Sequence, residues 1–207
     1  INQTKRLSKK FSSYYNLFMD EEQQTEKKNR IEIFKYNAIL SILFFLGSTF
    51  YLSSKIPNFS FSTFTISQMS YFLNPNQLSF FNLLFFIKCF MDLSFTLYVF
   101  KYFKLPVYSP TAIFWLIAVF SFGLLGFFPT HQYRYIHVTI VYILFFCWTL
   151  SEFMFAQLTK NEDFKFLTNN LLLIQIATIF LFIMTNNFNG VFEITYFFLV
   201  FFWLMVF

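Results

Sequence analysis

Charge is what this chain has least of. Only 12% of its 207 residues are Asp, Glu, Lys or Arg, while 57% are hydrophobic. Soluble domains carry about 25% charged residues, so the composition is that of a membrane protein and excludes a nucleic-acid-binding role. Glycine is also scarce, at four residues, and the chain has no P-loop, no G-x-G-x-x-G and no glycine elbow around a nucleophilic serine. The two cysteines, Cys89 and Cys147, lie inside apolar runs. They match no metal-site spacing and read as buried free thiols. The two histidines, His131 and His137, stand six apart with no third ligand nearby. Helical ligand pairs normally come at i, i+4, so neither metal nor haem is expected.

What fills the space is phenylalanine, at 38 residues. Hydrophobicity alone does not explain why it outranks leucine. Its U-rich codons do, if the coding genome is AT-rich, as in an organelle, a protist or some bacteria. The first 32 residues are polar and mixed in charge, with no apolar run of the kind a signal peptide needs. Within them, basic and aromatic "KRLSKKFSSYYNLF" precedes acidic "MDEEQQTEKKNR". This tail reads equally as an interfacial amphipathic helix or as a solvated arm that binds a neighbouring subunit.

Residues 33–207 carry six apolar runs near the roughly 20 residues that a bilayer core of about 30 Å requires. They are Ile33–Leu52, Leu78–Phe100, Thr111–Phe128, Tyr135–Phe155, Leu167–Met184 and Val191–Phe207. The predicted fold is therefore all-α, a six-helix polytopic membrane protein behind a polar tail. Lys5, Arg6, Lys9, Lys10, Lys27, Lys28, Arg30, Lys35, Lys101, Lys104, Lys160 and Lys165 fall on one side of this arrangement, and only Lys55 and Arg134 on the other. By the positive-inside rule both termini face the cytoplasm or the mitochondrial matrix. One connection is long: residues 53–77, "SSKIPNFSFSTFTISQMSYFLNPNQ", form an outside loop of a length that is often functional or ordered by packing. Its Asn58-Phe59-Ser60 is a glycosylation sequon, usable only in the secretory pathway.

Ionisable residues within a span are costly and invite a functional hypothesis. Lys88 and Asp92 share one helical face at i, i+4, and the reading favoured is a self-contained ion pair facing the bundle interior over an ion or proton path. Glu152, near the inner end of the fourth run, has Lys160 and Lys165 within reach as ordinary partners. Glu193 opens the sixth run, where a first helical turn favours negative charge. At the outer surface His131 and Arg134 are expected in a tight turn after Pro129, with His137 re-entering the membrane close enough to meet Glu193. Gly123 and Gly126, three apart, suit close helix approach. No catalytic set is legible; enzymatic activity is left open, with the balance against it.

Four stretches together resemble the six-helix FRAG/DRAM family of membrane proteins, which includes GPI-anchor remodelling and autophagy-modulating members. They are "TISQMSYF" before the second run with Phe81-Asn82 at its start, "GLLGFFP" closing the third, His137 opening the fourth, and "NGVFE" with Glu193 at the sixth. The resemblance spans most of residues 33–207. It implies cytoplasmic termini and a lipid-linked role, although the first outside loop has no cysteine. "LSEFMFA" is also similar to the Ser-Glu stretch of cytochrome oxidase subunit III, but the spacing around it departs from that subunit. Two expectations follow. One is a non-catalytic accessory or structural subunit of a larger membrane complex, with the mitochondrial inner membrane (a respiratory or ATP synthase assembly) as the favoured place. The other is a lipid-handling or lipid-remodelling protein of endomembranes or a bacterial plasma membrane. Both expect membrane lipids and other membrane subunits as partners, bound phospholipid, and no cofactor.

Overall fold

The computed structural model describes residues 33–185 and 189–206. The tail of residues 1–32, with its two alternative readings, lies outside the described residues, as does Phe207. The described residues form six α-helices and two short 3-10 turns, with no strand. The helices are α1 (Asn37–Ser53), α2 (Pro75–Tyr102), α3 (Pro110–Leu124), α4 (Thr130–Leu158), α5 (Glu162–Met184) and α6 (Gly190–Val206). The 3-10 turns are Ile33–Tyr36, leading into α1, and Ser67–Tyr71, in the long loop.

Polar caps set most of the helix starts, so several begin earlier than the apolar runs do. Asn74 accepts from the Gln77 backbone N–H at 3.0 Å while the Gln77 side chain accepts from the Asn74 N–H, a capping box with Pro75 in the first turn. Ser109 caps α3 ahead of Pro110. Asn161 accepts from Phe164 N–H at the start of α5, and Asn189 accepts from Phe192 N–H at the start of α6. The second run therefore starts at Pro75 instead of Leu78, and the fifth at Glu162 instead of Leu167. Hydropathy registers the apolar middle of a helix and passes over the polar turn that nucleates it.

Two further differences concern the stretch after α3. That helix ends at Leu124, earlier than the expected Phe128, in tight turns such as Gly126 N–H to Gly123 C=O at 3.1 Å. Then α4 begins at Thr130, directly after Pro129. His131 and Arg134 are thus in the first turns of α4 and do not form a separate loop. The irregularity survives as a kink, since Tyr133 has φ −129° and ψ 45°.

Phe34–Ser53, Pro75–Tyr102, Thr130–Leu158 and Glu162–Leu181 are long and apolar enough to cross a membrane; Pro110–Leu124 and Gly190–Met205 are apolar but shorter. The outward faces carry large apolar side chains, among them Phe90, Phe146, Phe166 and Phe180, a surface compatible with lipid. Each helix packs on the next, and α6 returns against α1.

Phenylalanine does structural work at the centre. Phe45, Phe85, Phe122 and Phe197, from α1, α2, α3 and α6, form an aromatic cluster with ring centroids 5.1–6.0 Å apart. Several of these pairs are edge-to-face, an arrangement worth about 0.5–1.5 kcal/mol each beyond simple burial. A second cluster joins α3, α4 and α6 through Trp115, Trp148, Phe155 and Trp203. Gly123 of α3 and Gly126 in the turn after it make the contact with α2 possible. A Cβ on Gly123 would lie 2.8 Å from Cys89 Sγ, and one on Gly126 would lie 2.8 Å from the Asn82 carbonyl oxygen.

Candidate functional site

Three polar centres occupy the helical bundle. The middle one is built on α2, where the i, i+4 spacing puts Lys88 and Asp92 side by side, both buried. The Asp92 carboxylate accepts from the Lys88 ammonium and from the Ser41 hydroxyl of α1. Lys88 Nζ also stands 4.7 Å from the centre of the Phe122 ring and 5.9 Å from that of Phe197, so aromatic faces help to solvate the ammonium. Ser41 was not singled out in the sequence, because a serine in an apolar run carries no charge to mark it.

The second centre sits between α4 and α5. Glu152 is 1% exposed, and its partners are not the lysines expected of it. Trp148 Nε1 donates to one carboxylate oxygen at 2.6 Å and Gln175 Nε2 to the other at 3.0 Å. The only ion pair that the structure describes near this end is Lys165 with Glu162, at 3.0 Å and exposed. Helical phase explains the difference: Glu152 faces the bundle beside Trp148, one turn earlier, while Lys160 lies beyond the end of α4. Gln175, in "LLLIQIATI", was the available signal, a polar side chain inside an apolar run.

The third centre lies at the starts of α4 and α6 under the long loop, and here tertiary contacts dominate. The connection between α1 and α2 runs over residues 54–74 and lies on the start of α6. Gly190 N–H donates to Phe64 C=O at 2.8 Å, Val191 N–H to Phe61 C=O at 3.1 Å, and Asn189 Nδ2 to Ser62 C=O at 2.8 Å. The Phe64 and Phe61 carbonyls satisfy backbone amides that the helix start leaves free. In the reverse direction Glu193 Oε2 accepts from Ile66 N–H at 2.5 Å. Glu193 therefore caps the 3-10 turn of the loop across space as well as sitting in the first turn of its own helix. Gly190 is required by this contact, since a Cβ there would meet the Phe64 carbonyl oxygen at 2.8 Å.

Beside this junction lies a pocket of about 210 Å³, with Thr65, Ser67, Gln68, Arg134, His137 and Glu193 among its lining residues. His137 and Glu193 are thus brought to one cavity, with no hydrogen bond between them. His137 Nδ1 pairs with Phe128 C=O at 2.7 Å, which in the neutral ring makes Nδ1 the donor and leaves Nε2 as acceptor. Nε2 is buried without a partner among the described residues. Arg134 is exposed at the pocket, and His131 stands apart from it, edge-on to the Tyr71 ring at 6.3 Å. No Lys or Arg among the described residues forms an ion pair with Glu193.

Two further spaces adjoin this pocket. A narrow internal one of about 60 Å³ extends past His137 and Glu193 to Lys88 and Asp92. A large apolar groove of about 870 Å³ runs between α4, α5 and α6, lined by residues such as Phe146, Phe153, Leu173, Ile176 and Phe180. Tyr142, Phe145 and Phe192 line both the groove and the polar pocket. The combined space is amphipathic: polar at the end under the long loop, with Glu193, Arg134 and His137, and apolar along the helices.

Among the described residues no group of three or more His, Cys, Asp or Glu side chains is placed to hold a metal ion. Compared with known proteins, the chain matches no family model, no curated protein and no solved structure.

Proposed function

We propose that this chain is a six-span integral membrane protein, with both termini on the cytoplasmic or matrix side, that binds a membrane lipid between α4, α5 and α6. The observation that carries the reading is the junction of the polar pocket with the apolar groove through Tyr142, Phe145 and Phe192. Small-molecule sites are concave and mostly apolar, with a few convergent polar groups, and a phospholipid has that same division between headgroup and chains. The lysine and arginine distribution supports a pocket on the outer side, with a ligand drawn from the outer leaflet. The FRAG/DRAM resemblance, with its lipid-linked roles, agrees with this reading and with endomembranes or a bacterial plasma membrane as its location.

A second reading, the accessory subunit of a larger assembly with the mitochondrial inner membrane as its setting, rests on a different observation. In the spanning part of α5 only 17% of the residues are buried within this chain, and its apolar side chains Leu173, Ile174, Ile176 and Phe180 face outward. On that reading a neighbouring helix covers α5.

Purification of the full chain in mild detergent, with mass spectrometry of co-purifying proteins and lipids, separates the two. One tightly held lipid on a lone chain supports the first reading; stoichiometric partners with no retained lipid overturn it in favour of the second. Asn58 offers an independent test, being exposed and in the left-handed region at φ 61°, which Asn tolerates. A glycan on Asn58 rules out the mitochondrial setting.

A further inference from the structure

Resting on the lipid-binding reading, we infer that the outer pocket selects a zwitterionic phospholipid headgroup, with the lipid ammonium at Glu193 and the phosphate at Arg134. The pocket holds one formal negative and one formal positive side chain, and the two differ in depth. Glu193 is half-buried, whereas Arg134 is exposed at the rim. Among the described residues only the Ile66 amide donates to the Glu193 carboxylate, through Oε2, which leaves Oε1 to meet a ligand. Close by, His137 contributes an acceptor nitrogen that nothing in the described structure satisfies. The deeper part of the pocket is therefore acceptor-rich and negative, complementary to an ammonium. Phe145 and Phe192 add aromatic faces of the kind that favour cations.

The rim supplies the opposite charge. A guanidinium is the side chain best matched to a phosphate, through paired N–H donors. A purely anionic headgroup satisfies Arg134 but brings its charge toward Glu193, which has no cationic partner among the described residues. A purely cationic headgroup has the converse conflict with Arg134. Only a headgroup carrying both charges complements both residues. The phosphate joins the ammonium to the glycerol, so the chains leave from the rim at Arg134 and run along the exposed α4 stripe of Val138, Tyr142 and Phe146 into the apolar groove.

The test is native mass spectrometry of the full chain in mild detergent, offered an equimolar mixture of phosphatidylethanolamine, phosphatidylcholine and phosphatidylglycerol. One lipid is expected to be retained, with the zwitterionic lipids preferred over phosphatidylglycerol by about two- to fivefold, the range that a single partly exposed ion pair supplies. In Glu193→Gln, where the amide oxygen still accepts from Ile66, that preference is expected to disappear while one lipid is still retained. In Arg134→Gln, an exposed change, retention of every phospholipid falls with helical content unchanged. Equal or greater retention of phosphatidylglycerol by the native chain overturns the headgroup assignment and leaves lipid binding standing, as does a preference that persists in Glu193→Gln. Failure to retain any lipid overturns the lipid reading itself. Soluble phosphoethanolamine that displaces the bound lipid completely overturns the assignment of a membrane-lipid ligand.

Discussion

Removing one member of the Lys88–Asp92 pair is expected to harm the fold far more than removing both. In Lys88→Met, Asp92 keeps the Ser41 hydroxyl but loses the Lys88 ammonium in a site where the residue is about 3% exposed. In Asp92→Leu, the ammonium keeps the Phe122 and Phe197 faces and a 3.5 Å contact to Ser41, too long to replace a carboxylate. Each single change strands a buried charge, at a cost of about 3–5 kcal/mol. The double variant Lys88→Met/Asp92→Leu removes both charges and keeps apolar volume, and such replacements are often neutral or stabilising. With a double variant near neutral, the expected coupling is therefore about 6–10 kcal/mol. For a chain of this size about 1 kcal/mol corresponds to about 2–4 °C in Tm, so each single variant should melt roughly 6–20 °C below the native chain. The double variant should melt close to it. The assay is thermal unfolding in one detergent, followed by near-ultraviolet circular dichroism of the aromatic clusters. The reasoning is refuted if the single variants lie within about 3 °C of native, or if the double variant falls by the sum of the two. Retained protein function in the double variant would also dismiss an ion or proton path through this pair.

Three shorter predictions concern the other contacts. Gly126→Ala drives a Cβ against the Asn82 backbone carbonyl, so a loss of about 1–3 kcal/mol is expected in the same melting assay; Gly47→Ala, with nothing within 4 Å and inside α1, should be neutral or stabilising by up to about 1 kcal/mol. Glu152→Gln exchanges a buried carboxylate without a cation for a neutral amide that still accepts from Trp148, so Tm should hold or rise, and a fall of more than about 5 °C would show the charge itself to be needed. Glu193→Ala removes the tie to Ile66, and residues 54–74 should become cleavable by dilute protease well before the helices do; an unchanged cleavage rate would mean that the backbone bonds from Asn189, Gly190 and Val191 suffice.

All-helical architecture and the approximate course of six helices were legible in the chain because apolar runs of bilayer length are a composition signal that needs no neighbour. The i, i+4 spacing of Lys88 and Asp92 likewise follows from helical geometry alone. Helix starts were less legible, since Asn74, Asn161 and Asn189 act through one or two hydrogen bonds and leave no trace in hydropathy. The stretch around Gly126, Pro129 and His137 read as a turn, and only its packing set Gly126 against α2 and made Thr130 the start of a long kinked α4 packed on α3.

Partners across the bundle belong to tertiary structure alone. Glu152 meets Trp148 and Gln175 in preference to the nearby lysines because the face a residue presents depends on helix rotation, which no linear spacing states. Glu193 was visible as a first-turn acid, but its bond to Ile66, 127 residues away in sequence, depends on how the long loop folds back over α6. The same is true of the meeting of a polar pocket with an apolar groove. Sequence determines what each helix is made of; the angle and rotation at which α4, α5 and α6 pack decide the space left between them.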